Sequence, residues 1–128
     1  MSFPRDRKYT KDHEWAKAED DVATVGISKF AVDQLGDITL VEGPKVGSTV
    51  KQGEAMGTVE SVKTVSDLYA PVSGTVVGAN DSLADAPQKL NEDPYGEGWI
   101  VRVRMSAPAE LGKLMDADAY EKHTATEH

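Results

Sequence analysis

The sequence predicts a mainly β protein, a sandwich or barrel with one short internal helix and a helical C-terminal segment. Three observations predict it. Short runs of branched and aromatic residues recur along the chain, Gly, Pro, Asn or Asp separates them, and helical spacing with capping residues is confined to two places. The strand-like runs are HEWAKA (13–18), VATVGI (22–27), ITLVEG (38–43), STVKQG (48–53), AMGTVESV (55–62), TVSDLYAP (64–71), GTVVGA (74–79) and WIVRVRM (99–105). SKFAVDQLG breaks the pattern: Ser28 suits an N-cap, Phe30, Ala31 and Leu35 share a helical face, and Gly36 stops the turn. From Ser106, SAPAELGKLMDADAYEKH offers a Ser cap, an early Pro108, Glu110 in the first turn and an interruption at Gly112. A two-piece helical segment over 106–123 follows, with a frayed tail at 124–128. Residues 38–62 can also be laid against 74–103, strand, turn, polar loop and strand in each, which would place Lys63 where two similar halves join.

One domain spanning 1–128, with a β core over about 9–105, is expected at this length. The chain has no cysteine, so disulfides and thiolate metal sites are excluded. Lys and Arg number 14 against 22 Asp and Glu, a net charge of -8, which disfavours nucleic acid and anionic membranes as partners. No run approaches the length of a signal peptide core or a membrane span, so a cytoplasmic protein is expected, bacterial in preference to a mature mitochondrial form.

Enzyme-type constellations are missing. HEW at His13 lacks the second histidine of a zinc-binding HExxH, and His123 and His128 fall near the C-terminus, so no metal site is expected. YGEGW lacks the strand before and the helix after that a phosphate cradle needs, and reads as a turn with Trp99 packed in the core. No serine has a histidine with an orienting acid, and the pairs Asp33 with Asp37 and Glu92 with Asp93 read as scattered surface carboxylates. What remains is VESVKTVSDLYAPVSG (59–74), which places Lys63 at a hairpin bend between Glu60 and Asp67. Acidic neighbours favour the ammonium, so Lys63 is not a nucleophile by itself. An external enzyme that supplies its own base and an activated acyl group could still modify it.

These residues resemble the lipoyl-carrying H proteins of the glycine cleavage system. The resemblance runs from about Tyr9 to Tyr120 and rests on HEW (13–15), VGIS (25–28), LGDI (35–38), VESVK with SDLYAPVSG, and LNEDPYGEGWI (90–100) in that order. It implies a barrel-sandwich hybrid of the lipoyl-domain kind with lipoate on Lys63 as N6-lipoyllysine. Glu60, three residues before, and Gly74, eleven after, match the positions that a lipoate-attaching enzyme reads. The implied function is carriage of an aminomethyl group from a pyridoxal-phosphate glycine decarboxylase to a tetrahydrofolate-dependent aminomethyltransferase, with reoxidation by dihydrolipoyl dehydrogenase. Such a chain is a non-catalytic carrier. Glu14 and Asp67 match acidic positions of a cleft that shelters the loaded arm, and Asp12 and Gln34 stand where other members carry Ser and His. Biotin carriers, whose lysine sits between two methionines, are the architectural alternative, but Val62 and Thr64 flank this one. A relay that donates lipoate to other enzymes is the other alternative.

Overall fold

Residues 13–27 show how alternation becomes a sheet. Strands β2 (Glu14–Glu19) and β3 (Val22–Ile27) pair antiparallel with Glu14 opposite Ile27 and Ala18 opposite Ala23. The turn between them is made at Asp20, whose φ of 56° lies where Asp is tolerated better than most side chains. The computed structural model describes residues 3–126.

The remaining strands are β1 (Lys8–Tyr9), β4 (Ile38–Glu42), β5 (Thr49–Val50), β6 (Ala55–Ser61), β7 (Val65–Tyr69), β8 (Gly74–Ala79) and β9 (Val101–Met105). They form a six-stranded sheet of order β1-β2-β3-β9-β8-β5 and a three-stranded sheet of order β4-β6-β7. The protein is thus mainly β with two open sheets, the layout of a barrel-sandwich hybrid. Each segment of the expected duplication contributes an antiparallel pair, β4 with β6 in one sheet and β8 with β9 in the other. The main core lies between the sheets, where Val25, Val103 and Val76 meet Val59 and Leu68, all nearly or fully removed from water. Burial of such a side chain contributes about 1.5–3 kcal/mol.

A second, aromatic core closes one end. Tyr9 and Tyr120 stack with ring centroids 4.5 Å apart, Phe3 tilts against both, and Trp15 lies in the same cluster. Trp15 donates its indole N–H to the carbonyls of Ile27 and Pro94, so its one polar atom is satisfied inside. The Arg7 guanidinium lies 4.6 Å from the Trp15 ring and 5.3 Å from that of Tyr95.

Helix α1 (Lys29–Leu35) begins and ends as its caps dictate: Ser28 Oγ accepts the Ala31 N–H, and Gly36 at φ 80° terminates it. Other elements differ from the sequence reading. Ser106 caps nothing: Ala107 holds the N-cap position, and Ser106 still belongs to the sheet, its N–H donating to Ser73 O. The first C-terminal piece is a 3-10 helix, Pro108–Lys113, which contains Gly112 rather than breaking there. The second helix is capped by Asp116, whose carboxylate accepts from Ala119 N, and it runs Ala117–Ala125. Thr124 is buried, so the tail expected to fray at 124 is helical through Ala125; residues 127 and 128 lie outside the described residues. Between β8 and β9 the chain forms two single helical turns, α2 (Ser82–Asp85) and α3 (Lys89–Glu92), and the C-terminal helix is α4 (Ala117–Ala125). Trp99 is half-buried: it packs against the aromatic core from its margin and lies beneath the Arg102 guanidinium, 4.0 Å from the ring centroid.

Candidate functional site

The site begins at the β6–β7 hairpin. Its register pairs Glu60 with Val65 and Thr58 with Asp67, leaving Val62, Lys63 and Thr64 as the bend. Ser61 holds this bend from both sides: its N–H donates to Thr64 O at 2.8 Å, and its hydroxyl bridges Thr64 O and Thr64 N at 3.2 Å each. The Val62 N–H reaches outside the hairpin to Asp37 O at 3.1 Å and ties the bend to the loop after α1. Lys63 is exposed there, and a β-carbon built on Gly36 would lie 3.4 Å from its Cε. The lysine is therefore at the tip of the hairpin with its stem over the bare backbone of Gly36.

Glu60 is half-buried on β6, its carbonyl accepting from the Thr39 hydroxyl. Gly74 lies in the other sheet, opposite Met105, where any β-carbon would collide with Arg104 O. Close backbone approach is sufficient reason for a glycine at that position.

Facing the hairpin is a second loop, residues 10–14. Thr10 organises it: Thr10 N donates to Glu14 O, His13 N donates to Thr10 O, and the Thr10 hydroxyl accepts from Asp12 N and Glu14 N. His13 sits at φ 78°, a conformation this closed turn demands, and its ring packs on Phe30 and bonds the Tyr120 hydroxyl at 2.7 Å. Tyr120 in turn contacts Ser28 Oγ at 2.6 Å, so α4 braces both the loop and the cap of α1.

Glu14 is 1% exposed, although alternation beside Trp15 reads as a solvent-facing acid. Its Oε1 accepts from the Thr10 hydroxyl at 2.6 Å and its Oε2 from the Tyr69 N–H at 3.1 Å. Burial pushes this carboxyl up from 4.5 to about 7, while the Thr10 and Tyr69 hydrogen bonds pull it down and Asp12 pushes it up. Asp67 is exposed on β7, with its carboxylate 3.5 Å from the Tyr69 hydroxyl. The negative charge of Asp67, then burial, then Asp12 and Glu14 hold the Tyr69 phenol above its ordinary value. Asp12, Glu14 and Asp67 thus surround one tyrosine.

Two depressions share Asp12 in their linings. One, about 260 Å³, runs from Thr64, Val65 and Ser66 of the hairpin to Asp12, His13, Gln34 and Leu35. The other, about 290 Å³, continues past Thr10, Glu14 and Tyr69 to Lys113 and Met115. The two lie side by side, the first lined by Thr64 next to Lys63 and by Asp12 and Gln34, the second by Asp12 and Glu14 and by Tyr69, whose hydroxyl is 3.5 Å from Asp67. A third depression of about 300 Å³, between residues 43–46 and Ala79–Ala84, contains none of these groups. Thr10 and Tyr69 were missed from sequence. A threonine four residues before an acid carries no signal until the turn brings them together. Among the described residues no cluster of three His, Asp or Glu could hold a metal, and no helix is long and apolar enough to cross a membrane.

The family model for the glycine cleavage H-protein matches residues 7–127. The chain belongs to that family. It is 55% identical over 123 residues to the glycine cleavage system H protein of Symbiobacterium thermophilum, covering 96% of each chain. The H protein of a Cyanothece species is 53% identical over 120 residues, 94% of this chain and 93% of that one. The crystal structure of an H protein from Mycobacterium marinum superposes with a TM-score of 0.90 at 43% identity, covering 96% of this chain and 99% of that chain. The role of this family is that of lipoyl carrier in the glycine cleavage system, and the chain is a carrier subunit of that kind.

Proposed function

We propose that Lys63 carries lipoate as N6-lipoyllysine and that the groove from the hairpin to Glu14 receives the loaded arm. The observation that supports this reading is the juxtaposition of an exposed ammonium at a hairpin tip with a groove that begins at the same hairpin and ends at a buried carboxyl. Lys63 fits the attachment: its ammonium is accessible to a lipoate-attaching enzyme, and Gly36 leaves its stem unobstructed. Amide formation removes the charge, after which the arm can lie along Leu35 and Val65 at no cost in lysine desolvation.

When bound, the lipoyl group supplies the dithiolane that carries the aminomethyl group from the pyridoxal-phosphate glycine decarboxylase to the tetrahydrofolate-dependent aminomethyltransferase and is renewed by dihydrolipoyl dehydrogenase. This chain's own residues supply the shelter. The Glu14 carboxylate would attract a cationic amine about 4 Å away by roughly 4 kcal/mol gross at an effective dielectric near 20, less desolvation. Asp12 and Asp67 add negative charge at the entrance, and Gln34 offers an amide to the same groove. Tethering keeps the intermediate from diffusing away between enzymes. The chain itself catalyses none of these steps. Glu60 and Gly74 are the positions the attaching enzyme reads: the first through its place two strand residues before the bend, the second through the backbone geometry of β8. The bacterial sources of the relatives above support a bacterial cytoplasmic carrier.

Intact mass of the protein made in cells supplied with lipoate, beside a Lys63→Arg control, tests the reading. One lipoyl increment in the parent and none in the control is expected. An unmodified parent, under conditions that lipoylate a known acceptor, overturns it.

A further inference from the structure

The Glu14 carboxyl is held by an arrangement that leaves the Thr10 hydroxyl no freedom. A threonine hydroxyl has one hydrogen and two lone pairs. Both lone pairs are taken by main-chain donors, Asp12 N at 3.2 Å and Glu14 N at 3.1 Å. Its hydrogen is therefore committed to Glu14 Oε1, and the 2.6 Å separation falls in the range of O–H bonds to a carboxylate. The other oxygen, Oε2, accepts from the Tyr69 N–H at 3.1 Å. With donors on both oxygens, the plane of the carboxyl is fixed between the 10–14 turn and β7. Thr10, Glu14 and Tyr69 all line the same depression.

We propose that Thr10 is the positioning residue of the arm groove: its hydroxyl aims the Glu14 carboxyl into the groove and biases it toward the ionised form that a cationic arm needs. This rests on the arm-groove reading above. Burial opposes ionisation of Glu14, and the Thr10 and Tyr69 bonds oppose burial, so the group is poised near neutrality. The other titratable and charged groups around it are Asp12, His13 and Lys11 from its own loop, Asp67 and Tyr69 from β7, and Lys113 from the 3-10 segment. None of these replaces the hydroxyl hydrogen. A carboxyl without that donor keeps its proton to higher pH, and its affinity for a cationic amine falls over the same range.

The test is a carboxyl carbon NMR titration of the unmodified protein with labelled glutamate, the Glu14 signal being assigned by its loss in Glu14→Gln. Thr10→Val and Thr10→Ala are expected to raise the Glu14 midpoint by about one pH unit, and Thr10→Ser to restore the parent midpoint. Two variants are used because valine keeps the shape and alanine removes a packing fault from the result. A Glu14 midpoint unchanged in folded Thr10→Val and Thr10→Ala overturns the proposal. Unfolding of both assigns Thr10 a purely structural role and overturns it as well.

In the loaded protein, the pH at which the arm is half protected from loss of its amine to water should rise by the same unit in Thr10→Val. If Glu14→Gln leaves that protection unchanged, the groove reading fails, and the titration still shows separately whether Thr10 governs Glu14.

Discussion

The two loops that meet at the groove are built in opposite ways. The 10–14 turn is fixed from behind: Trp15 and Tyr120 are almost fully buried, Thr10 makes five hydrogen bonds, and Glu14 is inside the protein. The 61–65 bend is fixed only at its base, by Ser61 and by Val62 N on Asp37 O, while Val62 is 77% and Val65 61% exposed. The difference separates two tasks. A receptor for one end of an arm needs defined geometry, whereas the anchor of that arm needs access by other proteins. Apolar exposure at the anchor also marks a surface suited to contact.

Four substitutions would break or sharpen this contrast. Trp15→Ala removes the largest buttress behind the receptor loop and should cost about 3–5 kcal/mol, read as a fall in thermal midpoint. A loss of less than about 1 kcal/mol would mean that the aromatic end does not support the loop.

The next effect comes from Glu14 and depends on pH. Below pH 4.5 the folded and unfolded chains both hold the proton. Between 4.5 and about 7 the folded chain retains it while the unfolded chain releases it, so stability falls as pH rises through that window. The full loss is on the order of 3 kcal/mol, and Glu14→Gln should abolish that part of the pH dependence in denaturant titrations. An unchanged slope between pH 4.5 and 7 would show that Glu14 is not the group responsible.

At the anchor, effects should be smaller. Ser61→Ala loses the hydroxyl that bridges the bend and should cost about 1 kcal/mol. Val62→Thr should change stability by no more than about 0.5 kcal/mol, because the side chain already faces water. Chemical denaturation of both variants checks the order, and a Val62 effect larger than that of Ser61 would reverse the description of the bend.

Much of this arrangement was legible in the sequence, for reasons that can be named. Eight strand-like runs became strands because turn residues bounded each and alternation matched a sheet with one covered face. Ser28 and Gly36 marked α1 because caps act locally. What was missed depends on distant partners. β1 is two residues long and exists because Lys8 and Tyr9 find Ala16 and Trp15, with a further bridge from Tyr9 to Met115. Ser106 resembled a cap, but its bond to Ser73 O keeps it in the sheet and the helix starts one residue later, with Ala107 at the N-cap. Glu14, Trp15 and Ala16 are all buried, which breaks alternation because loops and α4 cover both faces of that end of β2. Lys63 stood out from its local acids and turn residues. Thr10 did not, since its importance arises only from three hydrogen bonds closed by the fold.

The sheets also end themselves. Both margins of the six-stranded sheet, β1 and β5, are two residues long, and each offers another chain too short a row of open N–H and C=O groups to extend. The three-stranded sheet is bounded by β4, with a register irregularity between Ile38 and Leu40 and a charge at Glu42, and by β7 with Asp67. Together with a net charge of -8, these margins oppose the addition of strand to strand between molecules.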